Sequence, residues 1–188
     1  TGDARGAQGE FTGGVEVAAA FSRRDASGFQ VRSGRCSGTL ASSEAGLSVK
    51  RNIAAPLAFF DTNVLLYLLS PDEAKANVAE TRVSEGGTIS VQVLNEFTQV
   101  ACRKFRLSLV DVREILGVVR QALAVVPLTV ETHDVGLALS QKYSFSVYDA
   151  MIVASALRCD AATLYSEDMQ DGLLVEKRLR IVSPFGAA

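Results

Sequence analysis

Short apolar runs that stop on an acid or a helix cap, separated by helix-length amphipathic stretches, constrain this chain more than any other feature. Leu57 to Phe60 is a continuous apolar run ending in Asp61-Thr62-Asn63, the pattern of a buried parallel strand whose carboxyl end opens into a polar site. Val64 to Leu69 then reads as a short helix stopped near Ser70-Pro71, and Asp72 to Val83 as its continuation or a second helix. Gly86-Gly87 ends that stretch. Thr88 to Ser90 is a brief strand, and Ser90 caps a helix carrying Val93, Leu94, Phe97, Val100 and Ala101 on one side. A helix from Ser108 to Leu123 buries Val112, Ile115, Leu116, Val119 and Leu123, and Ala124 to Val126 is the next strand, closed by Pro127. Thr132 is the expected cap of a helix over His133 to Tyr143, and Ser146 of one over Val147 to Arg158. Strands follow at Ala161 to Tyr165 and Arg180 to Val182. Strands alternating with helices argue an α/β fold of three layers, α/β/α, around a short, mainly parallel central sheet.

The chain has 188 residues, 48% of them hydrophobic, enough for one core and too few for two. The first 50 residues hold nine of the 15 glycines and seven serines and show no sustained helical period. Residues 1–56 are therefore expected to be a leader, added or processed, with a genuine arm or small subdomain as the alternative. Val15 to Phe21 and Phe29 to Val31 are their candidate ordered pieces. The functional domain is expected over residues 57–188.

A net charge of −2 leaves no electrostatic footprint for indiscriminate nucleic-acid binding. Residues 57–188 carry 16 Asp/Glu against 12 Lys/Arg, so a nucleic-acid substrate would need bound cations or local basic residues to offset phosphate repulsion. Cys36, Cys102 and Cys159 are far apart and odd in number, which argues against a disulfide framework or a thiolate metal site and fits a reducing cytoplasm. The apolar stretch from Ile53 to Leu69 is interrupted by Pro56, Asp61 and Asn63, too broken for a membrane span.

Four acids fall where strand ends and early helix turns are expected: Asp61, Glu96, Asp149 and Asp168. Each has an ordinary reading: a helix cap for Asp61, a solvated helical residue for Glu96, the acidic half of a capping box for Asp149, a turn for Asp168. Taken together they have a common chemical use. Carboxylates held close raise one another's pKa, a penalty reversed by a hard, oxygen-seeking cation. Mg²⁺ suits such a set, with Mn²⁺ able to substitute, and the cation would activate water and stabilise charge on a phosphate. That points to a metal-dependent nuclease. No Ser/His/Asp arrangement competes, and Asn63 stands where a phosphatase of the paired-aspartate kind needs its second acid.

The lone histidine, His133, reads as a surface residue. Arg103, Lys104 and Arg106 form a basic cluster after the Glu96 helix, readable as a solvated helix end or as RNA-phosphate contacts; Lys177, Arg178 and Arg180 divide the same way. Phe97, Phe105 and Tyr148 read as core residues.

Four blocks, Ala58-Phe59-Phe60-Asp61-Thr62-Asn63-Val64-Leu65, Asn95-Glu96-Phe97, Ser146-Val147-Tyr148-Asp149-Ala150 with the run to Ala156, and Leu164 through Gly172, resemble the PIN-domain family in order. The resemblance is strongest to VapC-type toxins, the ribonuclease halves of toxin–antitoxin pairs, and covers about residues 57–185. It implies that Asp61, Glu96, Asp149 and Asp168 are the catalytic and metal-site acids, with Asn63 and Ser166 as polar companions and Asp171 as a further auxiliary acid or turn residue. It also implies metal-dependent hydrolysis of RNA, inhibition by a cognate antitoxin, and a homodimer. A catalytically inactive module that binds RNA or protein is the alternative.

Overall fold

The computed structural model describes residues 57–186. The expected leader over residues 1–56, with its two candidate ordered pieces, lies outside the described residues. Six strands form one sheet: β1 (Ala58–Phe60), β2 (Gly87–Ser90), β3 (Leu123–Val126), β4 (Thr163–Tyr165), β5 (Leu174–Val175) and β6 (Leu179–Val182). Their spatial order is β3-β2-β1-β4-β6-β5, parallel throughout except for β5 against β6. The helices are α1 (Thr62–Leu66), continued by a 3₁₀ turn at Tyr67–Leu69, then α2 (Glu73–Ser84), α3 (Val91–Lys104), α4 (Leu109–Ala122), α5 (Val130–Tyr143) and α6 (Val147–Arg158). They flank the sheet as the three-layer expectation requires. No helix among the described residues is long and apolar enough to cross a membrane.

The strand order places the chain's reversal between β1 and β4. From β1 the chain winds outward through β2 to β3, then returns to build β4 on the other side of β1. Such a switch point leaves a crevice outside the strands' carboxyl ends. In the register observed, Phe59 lies opposite Thr88 on one side and Leu164 on the other, and Phe60 opposite Tyr165. Phe59, Phe60, Ile89, Leu164 and Ile181 are wholly buried, the continuous hydrophobic content expected of strands covered on both faces. The core extends through Val93, Phe97 and Ala101 of α3 and Val112, Ile115 and Val119 of α4, most of the stripes that helical periodicity picks out; Val100, expected on the α3 stripe, is only half-buried and lies outside the core.

Close approach demands glycine at one position, and at a second a larger residue would have to displace the flexible end of a methionine. Gly87 begins β2 with φ +152°, where a Cβ would lie 2.6 Å from the Phe60 ring and 2.8 Å from the Ala58 carbonyl. Gly136 of α5 faces Met151 of α6, and a Cβ there would meet the Met151 thioether at 2.5 to 2.7 Å. The α5–α6 pair is joined by a tight reversal in which Ser144 takes the left-handed conformation, φ 60°.

Several expectations need correction. The cap of α5 is Thr129, whose side chain accepts from the Thr132 N–H, so the helix starts three residues earlier than a Thr132 cap would allow. Thr132 is buried inside the first turn, hydrogen-bonded to the Thr129 hydroxyl. Tyr148 is 65% exposed rather than in the core: the first turn of α6 stands clear of the sheet, and its buried run begins only at Ala150. Leu123 belongs to β3, where it is equally buried. Strand β5 was not expected. It closes a hairpin whose two left-handed positions are Glu176 and Lys177, φ 47° and 59°, residues that carry none of the Asn-Gly or Asp-Gly signal such turns usually show.

Candidate active site

Asp61 terminates β1 and caps α1, an arrangement set by its extended backbone, φ −78° and ψ 160°. Its Oδ1 accepts from the Thr62 N–H at 2.6 Å. Its Oδ2 accepts from the Ser166 hydroxyl at 2.7 Å and from the Asn63 amide at 2.9 Å. The residue is only 5% exposed, so these donors stand in for the water it has lost. Ser166 follows β4 and is wholly buried, while the Asn63 carbonyl oxygen accepts from the Glu167 N–H at 3.3 Å. The turns after β1 and β4 are thereby fastened to each other by side chains as well as by the Asp61 N–H to Tyr165 carbonyl bond at 2.9 Å.

Glu96 lies in the second turn of α3, which Ser90 caps. Both of its oxygens are engaged: Oε2 accepts from the Thr62 hydroxyl at 2.9 Å and Oε1 from the Gln92 amide at 2.7 Å. Asp149, in the first turn of α6, accepts from the Ser146 hydroxyl at 2.8 Å while its own N–H donates back to that oxygen at 3.2 Å. Ser146 thus caps α6 through the Asp149 N–H, but the Asp149 carboxylate takes the Ser146 hydroxyl rather than its N–H, so the reciprocal half of the expected capping box is not formed. Burial pushes the Asp61 carboxyl up to about 7; the Ser166 and Thr62 hydrogen bonds pull it down, and the Asp149 and Glu96 charges push it further up. Three of the four acids thus share one electrostatic neighbourhood.

The fourth is placed differently. Asp168 sits on the turn two residues beyond Ser166, is exposed, and makes no hydrogen bond or ion pair among the described residues. Asp171 accepts from the Ser183 N–H at 2.8 Å, tying the start of the β5 hairpin to the segment after β6. Between Ser166 and Asp168, the Glu167 side chain is bonded to the Lys75 ammonium and the Tyr67 hydroxyl. Lys75 also donates to Tyr67 at 2.9 Å and lies 4.7 Å from the Tyr67 ring centre, with Phe185 packed edge-on against that ring. Its ammonium pKa is raised, chiefly by the Glu167 bond.

Arg103 and Lys104 are exposed in the last turn of α3 and Arg106 just beyond it, and none forms an ion pair among the described residues. The polar residues that sequence reading missed are Thr62, Gln92, Tyr67 and Lys75. Gln92 had a visible signal, since it stands four residues before Glu96, one helical turn away on the same face. Lys75 and Tyr67 had none, because their partner is about 90 to 100 residues distant.

The assembled donors are all oxygen, the chemistry that hard divalent cations take. Among the described residues no three of His, Cys, Asp and Glu stand close enough to enclose a metal by themselves. Mg²⁺ is the cation such a set suits, since it keeps several waters and takes substrate oxygens rather than requiring an all-protein cage.

A family model described as PIN domain matches residues 58–170. Among solved structures, a toxin–antitoxin complex from Klebsiella pneumoniae aligns with a TM-score of 0.53 and 21% identity, over 68% of this chain and 97% of that one. VapC20 of Mycobacterium tuberculosis, described as a toxin that cleaves the sarcin–ricin loop, aligns with a TM-score of 0.50 and 17% identity, over 59% and 89% of the two chains. At those identities the likeness is one of fold. No curated protein matches the chain in sequence.

Proposed function

The chain belongs to the PIN domain family, and on that footing we propose that it is a divalent-cation-dependent endoribonuclease, the toxin of a toxin–antitoxin pair. The observation that carries this reading is the state of Asp61. A carboxylate buried among neutral donors, beside two further carboxylates and pushed up to about 7, is unfavourable as an anion until a cation joins it.

Asp61, Glu96, Asp149 and Asp168 would hold Mg²⁺, or Mn²⁺ in its place, some of them directly and the others through the cation's own waters. When bound, the cation supplies Lewis-acid stabilisation of phosphoryl charge and makes water more acidic. The chain's own residues orient the acids. Ser166 and Asn63 fix Asp61 through Oδ2, Thr62 and Gln92 hold the two oxygens of Glu96, and Ser146 holds Asp149. Donors of this kind keep ligands in one rotamer and lower the cost of assembling the site, typically by a factor of about 10 to 100 in affinity or activity. Asp171 remains outside this set, its turn contact to Ser183 accounting for it.

Substrate and partners follow from the same reading. The fold neighbours include a toxin–antitoxin complex and an RNA-cleaving toxin, which supports RNA as substrate and a protein antitoxin as inhibitor. A homodimer in the cytoplasm is proposed with them. Purified protein incubated with RNA in Mg²⁺ should produce internal cleavage that excess chelator abolishes and Mn²⁺ restores. Cleavage undiminished by chelator, or none with any RNA in either cation, would set the proposal aside in favour of an inactive binding module.

A further inference from the structure

The basic residues near the end of α3 share that helix with Glu96. Side chains three, four and seven apart lie on one helical face, so Gln92, Glu96, Gln99, Val100 and Arg103 form a single stripe. Its first two members are joined by a hydrogen bond. Its last three, together with Lys104, line an open groove of about 290 Å³. At 1.5 Å per residue, Arg103 stands about 10 Å along the axis from Glu96. Arg103 and Lys104, with Arg106 just past the helix end, carry charges that no described acid pairs, in a domain whose net charge is negative. Cations beside an aliphatic side chain are what a phosphate and its sugar or base require.

We propose that this groove is a second substrate subsite, in which Arg103 and Lys104 hold an RNA phosphate while another lies at the carboxylates. The assignment rests on the nuclease reading above. A polynucleotide fits better than an acidic peptide because the stripe runs unbroken from the acids to the groove, so one ligand with charges repeated along its length serves both ends. With about 3.4 Å of rise per stacked nucleotide, the two phosphates are about three nucleotides apart.

The test measures binding of single-stranded RNA oligonucleotides of increasing length to the full chain carrying Asp61→Asn, with and without Arg103→Gln and Lys104→Gln. Affinity should step up about tenfold once the RNA spans both sites, and the log-affinity against log-salt slope should steepen by about 0.7 per phosphate gained. The Arg103→Gln/Lys104→Gln chain should lose both the step and the added slope while keeping its thermal midpoint, because both side chains are exposed. Equal length dependence and equal slopes in the two chains would overturn the subsite. So would a variant that binds RNA normally and loses only its antitoxin, which would make the groove a protein-docking surface. Wild-type cleavage of RNA separates the two levels: if it occurs without the length step, only the subsite fails, whereas its absence with every RNA defeats the nuclease reading itself.

Discussion

Asp61 and Glu167 stand at the ends of neighbouring parallel strands, linked through Asn63, and their surroundings are opposite. Glu167 has a cation and a phenol to itself, Lys75 and Tyr67. Among the described residues Asp61 has only neutral donors, from Thr62, Asn63 and Ser166, with the Glu96 and Asp149 charges against it. Neutral donors orient a carboxylate without cancelling its charge. The paired acid holds a turn together, whereas the unpaired one, pushed up to about 7, is left to take a proton or a cation from outside.

The contrast breaks most sharply at Asp61. Asp61→Asn keeps a side chain of the same shape but removes the charge, and RNA cleavage should fall at least about 100-fold, the upper end of what even supporting residues contribute at metal sites. Metal-free thermal stability at pH 8 should not fall, since a buried uncompensated charge has gone. A variant that retains cleavage, or loses it only through unfolding, contradicts the assignment. Ser166→Ala comes next. It deletes the hydroxyl that donates to Asp61 Oδ2, and cleavage should drop by about 10- to 100-fold, read as initial rates at matched cation concentration.

Stability against pH sharpens the same comparison. The folded Asp61 carboxyl, at about 7, lies above its ordinary 3.8, so the native state binds the proton more tightly than the unfolded chain. Its contribution is fully present below about 3.8 and is lost as pH rises through about 7. In chelator, the wild-type unfolding midpoint should therefore decline across that window by more than that of Asp61→Asn, in scans at several pH values. Parallel curves would show that Asp61 is not the group responsible. The smallest effect belongs to the paired acid. Lys75→Met should shift the denaturant unfolding midpoint only slightly, because the Lys75–Glu167 pair is part-exposed, with cleavage reduced far less than by Asp61→Asn.

Much of this arrangement was legible in residue order. The run Ala58-Phe59-Phe60 before Asp61 identified a buried strand ending at a site, and the α3 and α4 stripes were visible at helical spacing. What escaped had physical reasons. The β5 hairpin turns on Glu176 and Lys177 in left-handed conformations that neither residue type announces. Thr129 and Thr132 are equally good caps in isolation, and tertiary packing that buries Thr132 decides between them. Tyr148 looked like a core aromatic because its neighbours are apolar, yet the first turn of α6 projects beyond the sheet. Within the site, Gln92 was readable as a one-turn neighbour of Glu96, whereas the Lys75–Glu167 contact depends on bringing α2 beside the end of β4.

The central claim, that a divalent cation takes the place of the proton at Asp61, is met most directly by titrating Mg²⁺ into metal-free protein at pH 7.5 and following the unfolding midpoint of wild type and Asp61→Asn. Binding to the folded state alone raises stability with ligand concentration, so the wild-type midpoint should climb and saturate while that of Asp61→Asn stays nearly flat. Equal rises in the two proteins, or no rise in wild type at any Mg²⁺ concentration, would contradict the account.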